Sequence, residues 1–199
     1  MLSKPWEFED ELPDKICIFI LLEEKLKEAL ENFSQKISLI NKKPAIPNTF
    51  HTSLRHLTDH RFKPEELSAL ESAVAEVIKN FIQFSFKQEK HMVLDEDKDV
   101  ELNLLMEETF YPLRQAIMEI PAPGKSEDYD PHCTVYYGVT QEQAVDDYLR
   151  QETLDDQIPF YATTIGIGVL GEENNLIEVL KTIPLLPRPG NEASPLSRL

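Results

Sequence analysis

Two short segments constrain this chain more than anything else in it: His51-Thr52-Ser53-Leu54 and His132-Cys133-Thr134-Val135. Both read histidine, any residue, small hydroxyl, apolar residue, and both sit in strand-like surroundings. Side chains of an extended strand alternate between faces, so His51 shares a face with Ser53, and His132 with Thr134. A fold that sets the two strands opposite one another gathers two imidazoles and two hydroxyls around one cleft. An imidazole titrates near neutrality, so one ring can take a proton while the other gives one. The hydroxyls suit phosphate oxygens on which negative charge develops.

The surrounding elements come in a matching order. Lys15 to Leu22 is an apolar, β-branched run that reads as a buried strand. Residues 23–39 change to helical spacing, with Leu26, Leu30, Phe33 and Ile37 on one face. Pro44 and Pro47 mark a loop over 41–48, and residues 49–57 then alternate as the strand carrying the first motif. Residues 64–81 are the clearest helix, with Pro64 in its first turn. Residues 82–86 and 91–94 read as a hairpin, 99–120 as a helix interrupted at Pro112, and 121–130 as a polar loop. Residues 131–138 are the second motif strand, 141–151 a short helix, and 160–170 and 176–183 two strands joined by a turn.

The expected fold class is therefore α+β, with two pseudo-symmetric lobes flanking a central cleft, each lobe an antiparallel sheet with outer helices. An irregular acidic arm (1–14) precedes a two-lobed domain (15–184), and a proline-rich flexible tail (185–199) follows it.

Net charge narrows the partners. The chain carries −16, which argues against gripping a long nucleic-acid backbone. Yet Lys36, Lys42, Lys43, Arg55, Arg61 and Lys63 face only one acid, Asp59, in the window around the first motif. That window is either a basic surface loop and strand or a local anion site inside a shell that repels long polyanions. A small nucleotide or short oligonucleotide fits the second reading, and nothing specifies a protein partner. No apolar run approaches the ~20 residues of a membrane span, and the N-terminus is too acidic for a secretory signal. A cytosolic or nuclear home is the expectation. Cys17 and Cys133 lie in apolar runs and read as two reduced, buried thiols rather than one disulfide.

The segments Ile46-Pro-Asn-Thr-Phe-His-Thr-Ser-Leu-Arg-His-Leu57 and Asp130-Pro-His-Cys-Thr-Val-Tyr-Tyr-Gly138 resemble the paired motifs of the two-histidine (2H) phosphoesterases. That superfamily includes RNA 2′,3′-cyclic phosphodiesterases, U6-RNA-trimming exonucleases and enzymes degrading 2′,5′-linked or cyclic oligonucleotides. The resemblance implies His51 and His132 as the acid–base pair, Ser53 and Thr134 as phosphate-binding hydroxyls, and no metal or cofactor. It implies cleavage of a 2′,3′-cyclic or other 2′-OH-adjacent phosphodiester; a 3′-end RNA exonuclease or a silent binding module on the same fold are the alternatives. Strand alternation adds two neighbours. Arg55 falls on the His51–Ser53 face, where it either pairs with a phosphate or is an ordinary strand-end arginine. Tyr136 falls on the His132–Thr134 face, where it either meets a base or phosphate or is an ordinary sheet aromatic. His56 and His60 read as surface histidines rather than metal ligands, and His91 as structural at a strand start.

Overall fold

A computed structural model describes residues 13–44, 47, 49–89, 91–106, 108–127, 131–153, 160–171 and 175–188. Most of the expected acidic arm (1–12) and the end of the tail (189–199) lie outside the described residues. The elements run β1 (Ile16–Leu21), α1 (Glu24–Asn41), β2 (His51–Thr58), α2 (Pro64–Ile78), β3 (Phe84–Gln88), β4 (Val93–Leu94) and β5 (Val100–Met106). They continue with α3 (Phe110–Met118), β6 (Lys125–Glu127), β7 (His132–Tyr136), α4 (Glu142–Gln151), β8 (Phe160–Ala162), β9 (Thr164–Leu170) and β10 (Leu176–Pro184).

The strands form two antiparallel sheets, as the sequence leads one to expect. The first has the order β10-β9-β1-β2-β6. In the second, β5 is flanked on one edge by β7 and on the other by β4 and β3 in succession, with β8 outside β3. Helices α2 and α3 pack together behind the first sheet, where α3 touches β2; α1 and α4 back the second, where α1 touches β7. So α1 leaves a strand of one lobe and packs behind the other. One apolar cluster runs through both layers, from Ile16, Ile18 and Ile20 of β1 to Val100 and Leu102 of β5. The odd residues of β1 face the opposite way: Cys17 and Phe19 form a satellite cluster with Leu170 and Leu176.

The expected helix over 99–120 is mostly wrong. Val100, Leu102 and Leu104 are buried while Glu101 and Asn103 are less so, a period of two, and the segment is strand β5. Helix α3 begins only at Phe110, and Pro112 sits in its first turn, where a missing N–H costs no helical bond. The expected hairpin of 82–86 and 91–94 also fails: β3 and β4 both pair with β5, not with each other. Residues 125–127 of the expected polar loop form β6 on the edge of β2. The single strand expected over 160–170 is divided at Thr163, so that β8 joins the second sheet and β9 the first. Past β10 the chain stays attached for a few residues: Leu185 is buried and bonds Thr163, and Arg188 donates to the Gln83 carbonyl.

Both motif strands carry one residue too many. In β2 against β1, Arg55 pairs with Ile18 but Ser53 with Phe19, so Leu54 is extra. In β7 against β5, Tyr136 pairs with Val100 but Thr134 with Glu101, so Val135 is extra. Each is a β-bulge, and each reverses the alternation beyond it. His51 and Ser53 therefore share the Phe19 face, as expected, but Arg55 goes over to the helix side. It is 5% exposed, and Nη1 donates to the carbonyls of Ile117 and Ile120 at 2.9 and 2.7 Å, while Nε donates to Ser126 Oγ at 2.8 Å. Arg55 thus supplies the cation at the C-terminal end of α3, a helix with no basic residue in its own last turn. Tyr136 is likewise removed from the cleft face. It is fully buried, and its hydroxyl donates to the Lys43 carbonyl and accepts from Asn41 Nδ2. Asn41 Oδ1 in turn accepts from Thr140 and Gln141 and so caps the start of α4.

Arg55→Leu is expected to destabilise the protein by about 2–4 kcal/mol, since it orphans two helix-end carbonyls formerly served by a charged donor. Urea denaturation measures it; a midpoint equal to that of the unmodified protein would return Arg55 to the list of cleft residues.

Candidate active site

The bulges leave three residues of each motif strand on the cleft side: His51, Ser53 and His56 from β2, and His132, Thr134 and Tyr137 from β7 and its continuation. Their partners on the neighbouring strands differ in kind. Leu21, Phe19 and Cys17 lie beside the first set, whereas Asn103 and Glu101 lie beside His132 and Thr134. One wall is apolar and the other acidic.

On the apolar wall, the His51 ring meets Phe19 edge-on, with centroids 5.1 Å apart. Phe19 can lie there because β9 carries glycine beside it: a methyl at Gly166 would stand 2.3 Å from the Phe19 ring, and one at Gly168 3.2 Å from it. His51 Nδ1 lies 2.9 Å from the Thr49 carbonyl oxygen. A carbonyl only accepts, so Nδ1 carries the proton and Nε2 presents a lone pair. Burial holds the His51 pKa below its ordinary 6.5; the Thr49 bond opposes this, and the charge of His132 lowers it further. Strands β2 and β7, which carry the two histidines, are in contact. A second contact agrees: the Cys133 sulfur is hydrogen-bonded to the His51 backbone. The two motifs therefore meet where they begin.

On the acidic wall, His132 Nε2 lies 3.3 Å from Glu101 Oε1. Burial raises the Glu101 pKa, His132 pulls it down, and Asp95, Asp99 and Asp97 push it up again. Glu101 thus sets a carboxyl group beside His132 where the His51 wall has an aromatic ring.

The hydroxyls are held from behind. Ser53 Oγ lies 2.9 Å from His56 Nε2 and 3.4 Å from Cys17 Sγ. Thr134 and Tyr137 are hydrogen-bonded through their side chains. Both cysteines are free and buried, and burial pushes their thiols up to about 12, so they are inert as nucleophiles.

Of the residues singled out from the sequence, the structure thus places His51 with Ser53 on one face of β2 and His132 with Thr134 on one face of β7, with the two strands in contact, and turns Arg55 and Tyr136 to the opposite faces. Sequence reasoning misses Phe19, Glu101, His56 and Tyr137. His56, expected at the surface, is buried; His60 does lie nearer solvent, but its Nε2 bonds Glu66 at 2.9 Å in the first turn of α2. His91 is exposed in a bend rather than beginning a strand. Among the described residues, no group of three or more His, Cys, Asp or Glu is arranged to hold a metal ion, and no helix is long and apolar enough to cross a membrane.

The two-sheet fold is that of known phosphoesterases, and solved structures match it. Escherichia coli LigT in complex with 3′-AMP superposes with a TM-score of 0.61 at 13% identity, covering 87% of this chain and 99% of that one. A structure described as a phosphoesterase gives 0.58 at 13% identity, covering 87% and 99%. A protein from Thermus thermophilus gives 0.59 at 13%, covering 88% and 100%. No family model matches the sequence, and no curated protein matches it at the sequence level.

Gly166→Ala is expected to displace Phe19 and admit water to His51. The imidazole midpoint followed by NMR should then move back towards 6.5; an unmoved midpoint would separate His51 from the Phe19 shelf.

Proposed function

We propose that this protein is a metal-independent phosphodiesterase that cleaves a 2′,3′-cyclic or other 2′-OH-adjacent phosphodiester in a nucleotide or short oligonucleotide. The observation that carries the reading is the unlike surroundings of the two histidines, Phe19 beside one and Glu101 beside the other. With Nδ1 held by the Thr49 carbonyl, His51 offers Nε2 as the base, and His132, 3.3 Å from the Glu101 carboxyl, serves as the acid. In the cyclic case His51 takes a proton from water as the water oxygen bonds to phosphorus. The P–O2′ or P–O3′ bond breaks, and the departing ribose oxygen takes the proton from the His132 side. Ser53 and Thr134 donate to the non-bridging oxygens as their charge grows. E. coli LigT has been captured with 3′-AMP, with phosphate, with ATP and with NADP+, which supports a nucleotide-sized ligand for the cleft of this fold. The acidity of the chain, and of Asp95, Asp97 and Asp99 beside Glu101, disfavours a long polyanion.

His51→Ala and His132→Ala should each lower kcat on nucleoside 2′,3′-cyclic monophosphates by at least about 10²-fold, in keeping with loss of a general acid or base. The thermal midpoint should hardly change. Short oligouridylates assayed in parallel test the exonuclease alternative, and ligand binding without turnover by the unmodified protein would establish a silent module instead.

The pH profile gives a separate test. Because the His51 pKa is depressed in the folded state, neutral His51 adds stability above the unfolded value of 6.5, and this is lost as pH falls through the folded pKa. The acid limb of kcat/KM should accordingly lie below 6.5. An acid limb above that value would contradict His51 as the base.

A further inference from the structure

In each motif strand the bulge brings the residue five places after the histidine back to the cleft face, beside the motif hydroxyl: His56 to Ser53, and Tyr137 to Thr134. Two unrelated side chains thus lie against the motif hydroxyls in the two halves. His56 is 5% exposed, and its Nε2 reaches Ser53 Oγ at 2.9 Å. A second donor, Cys17 Sγ, reaches the same oxygen at 3.4 Å.

A hydroxyl has one proton and two lone pairs. The non-bridging oxygens of an ionised phosphodiester only accept, so a Ser53 that serves one must donate to it. Both lone pairs then face other donors, and His56 Nε2–H and Cys17 S–H are the groups in place. With Nε2 unprotonated, Ser53 would turn its hydrogen towards His56 and present a lone pair to the phosphate, which repels it.

We propose that His56 is a positioning residue that fills a lone pair of Ser53 and so aims the Ser53 hydroxyl proton at a bound phosphate oxygen. This deepens, and rests on, the phosphoesterase reading of the same cleft. His56 transfers no proton to or from substrate. Its role passes wholly through Ser53, and that makes it separable from a packing role.

The test is a double-mutant cycle between His56→Leu and Ser53→Ala, read in KM for a nucleoside 2′,3′-cyclic monophosphate and in Kd for inorganic phosphate. Circular dichroism and thermal midpoints check that each variant is folded. His56→Leu alone should weaken both constants by about tenfold, as expected for loss of one aimed hydrogen bond. In the Ser53→Ala background it should add less than about twofold, because the group it acts through is gone. Equal losses in both backgrounds, or no loss in either, would overturn the proposal.

A second pair of variants answers the same question should His56→Leu fail to fold. The amide of His56→Gln reaches about as far as Nε2 and should restore near-normal KM, whereas the shorter His56→Asn should not. Gln and Asn performing alike would overturn the assignment. The two readings fail differently. Phosphate binding with the expected cycle but no turnover of any diester would sink the phosphoesterase reading and uphold the role of His56. Turnover with an additive cycle would do the reverse, and absence of any phosphate binding would sink both.

Discussion

The β1–β2 and β5–β7 ladders each accommodate one surplus residue, Leu54 and Val135, at the same place in the motif. A bulge leaves the residues before it in register and rotates those after it by one face. Histidine and hydroxyl lie before it and stay together on the cleft side. The following polar residue, Arg55 or Tyr136, is turned into the interior, where it fastens a helix: Arg55 the end of α3, Tyr136 the end of α1 through Asn41. One geometric irregularity thus aims the site inward to the cleft and anchors its strand outward to the helices. At β7 the carbonyl of the surplus residue itself is held by the buried Ser34 hydroxyl of α1, so the irregularity is built into the packing.

The pseudo-symmetry stops at the neighbouring strands, and that is where the chemistry divides. Phe19 gives His51 an aromatic, dehydrated flank, and Glu101 gives His132 a carboxylate. Low polarity favours a neutral imidazole, and an adjacent anion favours a proton held nearby. Two equivalent histidines in symmetric settings would compete for the same role. Their inequality comes from β1 and β5, neither of which carries a motif.

How much was legible follows from the range over which strand alternation holds. Up to the bulge it holds, and the shared face of His51 with Ser53, and of His132 with Thr134, could be read directly. Beyond it the same rule put Arg55 and Tyr136 on the wrong face. A signal was present: taken as six residues, HTSLRH and HCTVYY both end in a hydrogen-bonding ring at the fifth position after the histidine. Strand β5 was misread because the charged lead-in Asp95-Glu-Asp-Lys-Asp99 suggests a helix start, while its own Val-Glu-Leu-Asn-Leu alternation is short. Glu101 was lost with it. The Phe19–Gly166 fit depends on which strands lie side by side, which no local pattern encodes.

The segment 160–170 passes from one sheet to the other at Thr163, and α1 leaves β1 of the first sheet to back β7 of the second. The halves are therefore interleaved rather than hinged. Cutting the chain between them would strip β7 of the helix that backs it and leave β9 and β10 on the wrong fragment for the first sheet. If such a molecule arose by duplication of a smaller ancestor, neither copy retains the means to live alone. The placement of the two histidines is then a property of one interleaved unit rather than of two separable halves.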